Sequence, residues 1–156
     1  MILLNRPADI LEWVGKEIGV SDWLTIDQEQ ISTFARLTGD DHWIHVDTER
    51  AKKEMPDGKT IAHGFYTLSL IPFMVRSVYQ IKERGKGLNY GSNRVRFVSP
   101  VPVGSRVRLR QSIKAAEPVE GGMKITSECV IEVEGRVEAQ PRPAVAAEFL
   151  MVVYDK

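Results

Sequence analysis

The chain has 156 residues and carries 21 Lys and Arg against 21 Asp and Glu, so its formal net charge at pH 7 is zero. This length suits a single domain spanning residues 1–156, and the zero charge gives no sign of a nucleic-acid or anionic-membrane partner. The one cysteine, Cys129, excludes an internal disulfide and a multi-cysteine zinc site, and its apolar neighbours favour a buried structural thiol.

The N-terminal segment lacks the features of a targeting sequence. Its opening, MILLNRPADI, is interrupted by Arg6, Pro7 and Asp9 before a secretory signal could form. No run in the chain approaches the roughly 18 apolar residues that a membrane span requires. We therefore expect no membrane association and a cytoplasmic location.

Helical signals dominate the first half of the chain. Asp27 is a predicted N-cap, with Gln30 completing a capping box, and apolar residues then recur at helical spacing until Gly39. A second, shorter helix is predicted over Thr48–Glu54, with Asp47 as its N-cap.

A long apolar helix is the next predicted element. Residues Phe65 to Ile81 are numerous enough for a helix and are apolar on nearly every face down to Val75. Such a pattern predicts burial on most sides. Pro72 should kink this helix or mark a local break.

The second half of the chain changes to a period of two. Several alternating runs are separated by turns rich in Pro and Gly, which predicts an antiparallel sheet and an α+β fold. The sheet is the only candidate to cover the apolar helix. The residues expected to face inward are Val95, Phe97, Val107, Leu109, Ile113, Met123, Ile125, Cys129, Ile131 and Val133.

Titratable groups are concentrated in TGDDHWIHVD, which begins at the predicted end of the first long helix. The candidate metal ligands in this stretch are Asp40, Asp41, His42, His45 and Asp47. The two histidines are three residues apart instead of the four in the helical zinc motif. A purely structural interpretation would have Asp40 and Asp41 cap turns and leave both histidines on the surface.

The third interpretation is an acid/base pair acting on one water molecule. A tight loop could bring the side chains of Asp40 and His45 to the same side, with Trp43 and Ile44 excluding bulk water. Poor solvation would then shift the pKa values of both groups toward neutrality, where general acid/base catalysis works best.

A second element strengthens the acid/base interpretation. The sequence IAHGF places Gly64 at the start of the apolar helix, where a free backbone N–H could stabilise an enolate oxygen. His63 is a candidate second polar contact, although an N-cap or a hydrogen-bonded structural histidine fits the sequence equally well.

These segments resemble a known family. The stretch FARLTGDDHWIHVDTERAKKE, followed by TIAHGFYTLSLIP, resembles the MaoC-like dehydratases, the (R)-specific enoyl-CoA hydratases. The form WIHVD and the downstream LNYGSNRVRFVSPVPVGSRVR look most like the nodulation protein N subgroup. The resemblance runs from about Asp27 to Arg110, over half of the chain.

The resemblance implies a hot-dog fold, in which an antiparallel sheet wraps round a long central helix. It implies a homodimer with the acyl-CoA site at the interface. It assigns the catalytic water to Asp40 and His45, and the oxyanion donor to the Gly64 N–H. His42 stands where an amide is commoner, and we expect it to be a polar rim contact.

The expected reaction is reversible hydration of trans-2-enoyl-CoA to (R)-3-hydroxyacyl-CoA, with CoA as the substrate carrier and with no metal or redox cofactor. Besides His63, the further candidate substrate contacts are Asn89 and Tyr90, in the downstream segment of the resemblance. The alternatives are a hot-dog enzyme acting on acyl-carrier-protein thioesters, a thioesterase, and a non-catalytic acyl-CoA binding module.

Overall fold

A computed structural model of the chain describes residues 1–136 and 142–156. Most of the sheet comes from the second half of the chain, and the helices come from the middle. The strands are β1 (Ile2–Leu4), β2 (Lys16–Val20), β3 (Leu24–Thr25), β4 (Tyr79–Ile81), β5 (Gly87–Phe97), β6 (Arg106–Val119), β7 (Gly122–Val133) and β8 (Val145–Tyr154). The α-helices are α1 (Gln28–Thr38), α2 (Trp43–Val46), α3 (Thr48–Glu54), α4 (Gly64–Ser69) and α5 (Ile71–Val78).

The main sheet is antiparallel, in the order β2-β6-β7-β8-β5, with β3 also paired to β6. The alternation in the sequence predicted the inward face of β6 and β7, because successive residues of a strand point to opposite faces. On the edge strand β5, Val95 packs against the core as predicted, but Phe97 is 45% exposed within one protomer, so that part of the prediction is wrong. Val107, Leu109 and Ile113 of β6 are fully buried, as are Cys129 and Ile131 of β7. The α+β class is confirmed, with an antiparallel sheet packed against helices as in hot-dog structures.

The predicted long helix is divided into two. α4 ends at Ser69, and α5 begins at Ile71 with Pro72 in its first turn. Proline lacks the N–H that a continuous helix would need there, and its ring collides with the carbonyl four residues earlier, so the predicted local break is confirmed. The helix ends at Val78, because residues 79–81 form β4, which pairs in parallel with β1.

The first 25 residues differ from the helical prediction. They form three short strands and a 3-10 helix over Pro7–Trp13, whose Ile10 is fully buried. β2 pairs with β6 and contains an irregularity next to Gly19. A strand of five residues with a bulge gives too few alternations to be recognised from sequence, so this part of the prediction is wrong.

Both predicted helix caps are confirmed. The Asp27 side chain accepts a hydrogen bond from the Gln30 N–H, and the Gln30 side chain accepts one from the Asp27 N–H. Gly39 ends α1 in the left-handed conformation, with φ of 78°. At α3, the Asp47 carboxylate accepts from the Arg50 N–H at 2.9 Å. These caps orient the segment between α1 and α3, which contains most of the candidate site.

The helix pair α4–α5 is not buried on most sides within one protomer, so that prediction is wrong for the isolated chain. Its inner face packs on the sheet, but Phe65 remains 68% exposed and Phe73 55% exposed. The neighbouring strand β5 lies at the sheet edge, and its Tyr90 and Phe97 are also exposed. Among the described residues, no helix is long and apolar enough to cross a membrane.

Candidate active site

The loop after α1 and the short helix α2 place Asp40 and His45 close together. Asp40 follows the glycine that ends α1 and is exposed, whereas His45 lies in the single turn of α2 and is 8% exposed. Trp43 and Ile44, between them, are half-buried, and the Arg50 guanidinium stacks 4.1 Å from the centroid of the Trp43 ring. Desolvation therefore acts on the imidazole and much less on the carboxylate.

The hydrogen bonds of His45 identify its free nitrogen. Its Nδ1 lies 2.7 Å from the Ile61 carbonyl, which can only accept, so Nδ1 carries the proton in the neutral ring. Burial is the main reason that the pKa of His45 is lowered from its ordinary value of 6.5, and the neighbouring His63 lowers it further. At neutral pH, His45 is therefore an uncharged imidazole whose Nε2 has a free lone pair.

His63 lies directly behind this imidazole. It is 2% exposed, and its ring stacks on that of His45 with 3.8 Å between centroids. Its Nε2–H donates to the backbone carbonyl of Asp40 at 2.8 Å, and the ring of Phe34 packs against it at 4.9 Å. His63 thus connects the Asp40 loop, the His45 ring and the start of α4, for which it is the N-cap residue.

Gly64 is the first residue of α4. The first hydrogen bond of this helix runs from the Thr67 N–H to the His63 carbonyl, so the Gly64 N–H has no partner within the helix. A cavity of about 240 Å³ opens beside it, with His45, Thr67 and Phe97 in its wall. A Cβ built on Gly64 would lie 2.7 Å from the Phe97 ring. The glycine therefore lets an aromatic ring contact the backbone at the mouth of the cavity.

The extended segment 60–62 supports the site, and no sequence motif predicted it. The Ile61 N–H donates to the Ile44 carbonyl at 3.0 Å. The Gln28 amide donates to the His45 carbonyl at 2.8 Å and accepts from the Thr60 hydroxyl at 2.5 Å. These contacts join residues 17 to 32 positions apart, and for this reason no local motif reveals them.

The cluster that could hold a metal ion differs from the one considered in the sequence. Ligand atoms of Asp40, His45 and His63 lie within 4.8 Å of one another, whereas His42 is exposed and lies outside the cluster. The planes of the two buried imidazoles are only 23° apart and stacked. The lone pair of an imidazole lies in the plane of its ring, so two stacked rings direct their lone pairs into separate, nearly parallel planes, which suits a shared metal ion poorly.

The other sequence-derived residues lie away from this cluster. Asn89 and Tyr90 are exposed on β5, and Asn89 is eight residues before Phe97, roughly 26 Å along an extended strand. Within one protomer the structure therefore does not bring them to His45. Cys129 is fully buried in β7, and burial raises its pKa to about 12, as expected for a structural thiol.

Comparisons with known proteins match nearly the whole chain. A family described as "MaoC like domain" matches residues 10–134. The chain is 46% identical over 152 residues to 3-hydroxyacyl-thioester dehydratase Z of Mycobacterium tuberculosis, covering 97% of each chain. It is 44% identical to nodulation protein N of Rhizobium leguminosarum bv. viciae, covering 94% of this chain and 89% of that one. An R-hydratase from Pseudomonas aeruginosa superposes with a TM-score of 0.71 at 20% identity, covering 97% of this chain and 88% of that one.

Proposed function

Since the chain belongs to the family of MaoC-like dehydratases, we propose that it catalyses the reversible hydration of a trans-2-enoyl thioester to the (R)-3-hydroxyacyl thioester. Membership in this family, together with the names of its relatives, supports a hydratase or dehydratase enzyme. The assignment of Asp40 and His45 as the catalytic pair, and of CoA as the carrier, is our proposal.

The observation that carries the proposal is the free Nε2 of a neutral, buried His45 close to the Asp40 carboxylate. A water molecule held between these groups would be oriented by the carboxylate and could lose a proton to the imidazole. General bases work best when they are unprotonated at the working pH and close to the proton they remove. His45 meets both conditions.

The proposed mechanism has two steps. In the hydration direction, the water oxygen bonds to C3 while His45 accepts a water proton, and the electron pair of the C2–C3 double bond moves to the thioester oxygen. The Gly64 N–H stabilises the enolate so formed. The His45 imidazolium then returns a proton to C2, which restores the neutral ring and completes the addition of one water. No metal or redox cofactor takes part.

The contacts of His63 support a positioning role. It donates a hydrogen bond to the Asp40 carbonyl and stacks on His45, so it would hold both residues in place relative to the start of α4. We therefore assign His63 to positioning and not to substrate contact, since only 2% of its surface is exposed.

We also propose a homodimer with the site close to the interface. The edge strand β5 and the face of α4–α5 expose Phe65, Phe73, Tyr90 and Phe97 in the protomer. Unpaired strand edges and large apolar patches are usually covered in natural proteins. A two-fold partner would cover this surface and could bring its own Asn89 and Tyr90 toward the cavity at Gly64.

Crotonyl-CoA hydration tests the function, followed as loss of the enoyl thioester absorbance, with the configuration of the product determined separately. Asp40→Asn should remove most of the rate. The matched control is Asp41→Asn, which changes the adjacent exposed carboxylate and should keep the rate of the wild type. Release of free CoA thiol without hydration would identify a thioesterase. Binding of crotonyl-CoA without turnover would identify a non-catalytic module, and turnover of only the carrier-protein thioester would replace CoA as the carrier.

A further inference from the structure

Two hydrogen bonds of His45 lead to the same short segment of the chain. The ring Nδ1–H donates to the Ile61 carbonyl at 2.7 Å. The backbone carbonyl of His45 accepts from the Gln28 amide at 2.8 Å, and the oxygen of that amide accepts from the Thr60 hydroxyl at 2.5 Å. Because Thr60 and Ile61 are consecutive, His45 is attached to one segment at two points, by its ring directly and by its backbone through Gln28.

The short helix α2 depends on such an attachment. It has four residues, Trp43–Val46, and no side chain of the described residues caps its N-terminus. A helix of one turn is unstable without tertiary contacts. The last carbonyls of a helix have no partner within the helix, and the carbonyl of His45 is one of them. The Gln28 amide supplies that partner, so a side chain of α1 determines where the proposed base lies.

Gln28 and Thr60 are themselves anchored by neighbouring backbone groups. Ile26, two residues before Gln28, is fully buried, and its carbonyl accepts from the Gly104 N–H at 2.7 Å. Thr60 is 1% exposed, and its carbonyl accepts from the Val103 N–H at 2.9 Å. Two consecutive residues therefore hold the start of α1 and the segment next to His45, which fixes the spacing that the Gln28 amide bridges.

The orientation of the Gln28 amide follows from its partners. The His45 carbonyl can only accept, so the amide nitrogen faces it, and the same nitrogen lies 3.1 Å from Oγ of Ser32. The amide oxygen then faces the Thr60 hydroxyl, which donates to it. Both N–H groups and the oxygen of the amide are thus used, so a side chain without this set of donors and acceptor would break the connection.

This connection bears on which nitrogen of His45 carries the proton. A neutral imidazole has one N–H and one lone pair, and the hydrogen bond made by one nitrogen decides which is which. The Ile61 carbonyl holds the proton on Nδ1 only while the ring stays within hydrogen-bond distance of it. If α2 moved away, the proton could occupy Nε2, and that nitrogen would then have no lone pair for the catalytic water.

We propose that Gln28 and Thr60 are positioning residues that keep the His45 proton on Nδ1 and so leave Nε2 free as the base, an inference that rests on the function proposed above. Neither is among the described residues that line the cavity beside Gly64. Their loss should therefore lower kcat and leave KM nearly unchanged. A displacement of about 1 Å in an active site can cost roughly a hundredfold in rate, so Gln28→Met should lower kcat by a factor of about ten to a hundred.

Nitrogen-15 NMR of the histidine rings reads the tautomer directly, because protonated and bare ring nitrogens have well-separated chemical shifts. The chain has three histidines, so single substitutions assign their signals. Gln28→Met keeps the length of the side chain and lacks the amide, so the His45 proton should move at least partly to Nε2. His63 is an internal reference, because its Nε2–H donates to the Asp40 carbonyl and this form should persist.

Gln30→Met is the matched control on the same helix. It removes the capping-box bond to the Asp27 N–H and so lowers the stability of α1, but it should leave the His45 tautomer and kcat on crotonyl-CoA unchanged. Thr60→Ser keeps the hydroxyl and should behave as the wild type. Thr60→Val keeps the shape and loses the hydroxyl, so it should show the same change as Gln28→Met at smaller size, and it decides the question if Gln28→Met does not fold.

The two readouts separate this inference from the proposed reaction. A shifted tautomer with a matching loss of kcat supports the positioning role. A wild-type tautomer in both Gln28→Met and Thr60→Val overturns it even if kcat falls, as does an equal shift in Gln30→Met, since general destabilisation would then explain the loss. A shifted tautomer with unchanged kcat overturns the link to Nε2 as the base. If the variants shift the tautomer but the wild-type protein does not hydrate crotonyl-CoA, the positioning of His45 stands and the proposed function fails.

Discussion

Replacing Gly64 with alanine separates an oxyanion role from a packing role. Its backbone does not need the left-handed region, so the conformation at Gly64 allows alanine. The one obstacle is the Phe97 ring, whose nearest atoms would lie 2.7 Å from the new Cβ. Phe97 is on an exposed edge strand and 45% exposed, so its ring has room to move.

The two roles predict different magnitudes. Overpacking of this kind costs about 1–3 kcal/mol of stability, and an exposed ring places the expected cost near the lower limit. A misplaced oxyanion donor costs about 2.7–4 kcal/mol of transition-state stabilisation, which corresponds to a hundredfold loss of turnover or more. Gly64→Ala should therefore lose far more turnover than stability.

A double-mutant cycle with Phe97→Ala provides the control. Removing the ring together with its Cγ should return most of the unfolding free energy that the clash costs in Gly64→Ala, because all three clashing atoms are then absent. Turnover on crotonyl-CoA should stay low, since the added methyl group still occupies the space next to the N–H. Turnover and thermal midpoint are measured on the same samples. Full recovery of turnover in the double variant would show that Gly64 matters only for packing against Phe97.

The remaining predictions concern the acid/base pair, pH, metal and assembly. Asp40→Asn and His45→Ala should each lower kcat by a factor of roughly 10²–10⁴. The double variant should be little worse than either single variant, because the effects of two groups that act on one water molecule are not additive. A loss in the double variant equal to the product of the two single losses would contradict a shared water molecule. Burial lowers the pKa of His45 below its ordinary value of 6.5. The unfolded chain therefore binds a proton at this histidine more readily than the folded protein does. The stability that the neutral, buried His45 contributes is complete above pH 6.5 and is lost as the pH falls below it. The thermal midpoint of His45→Gln should accordingly fall less than that of the wild type as the pH is lowered from 6.5 to about 5. If both midpoints fall equally with pH, His45 does not cause the pH dependence of stability. Prolonged chelation should change neither turnover nor thermal midpoint, and activity that is lost and then restored by zinc would revive the metal interpretation. Light scattering should give a dimer or a multiple of it, whereas a fully active monomer would exclude the interface site.

Features that depend on neighbouring residues could be predicted from the sequence. The capping box at Asp27, the break at Pro72 and the alternation of β6 and β7 all arise from interactions or periodicities within a few positions. The proximity of Asp40 and His45 also belongs here, because a glycine stop and one helical turn place them close together. The apolar run after Gly64 indicated a helix, but it could not show which faces the chain itself covers.

The contacts that support the site could not be predicted, because they join distant parts of the chain. The stacking of His63 on His45 and the bonds from Gln28 to His45 and Thr60 join residues 17 to 32 positions apart, and the contact of Phe97 with Gly64 spans 33 positions. The strands of the first 25 residues likewise depend on distant partners, β4 for β1 and β6 for β2 and β3. Pairing across such separations is favourable only after the chain has closed the intervening loops, so no local pattern records it.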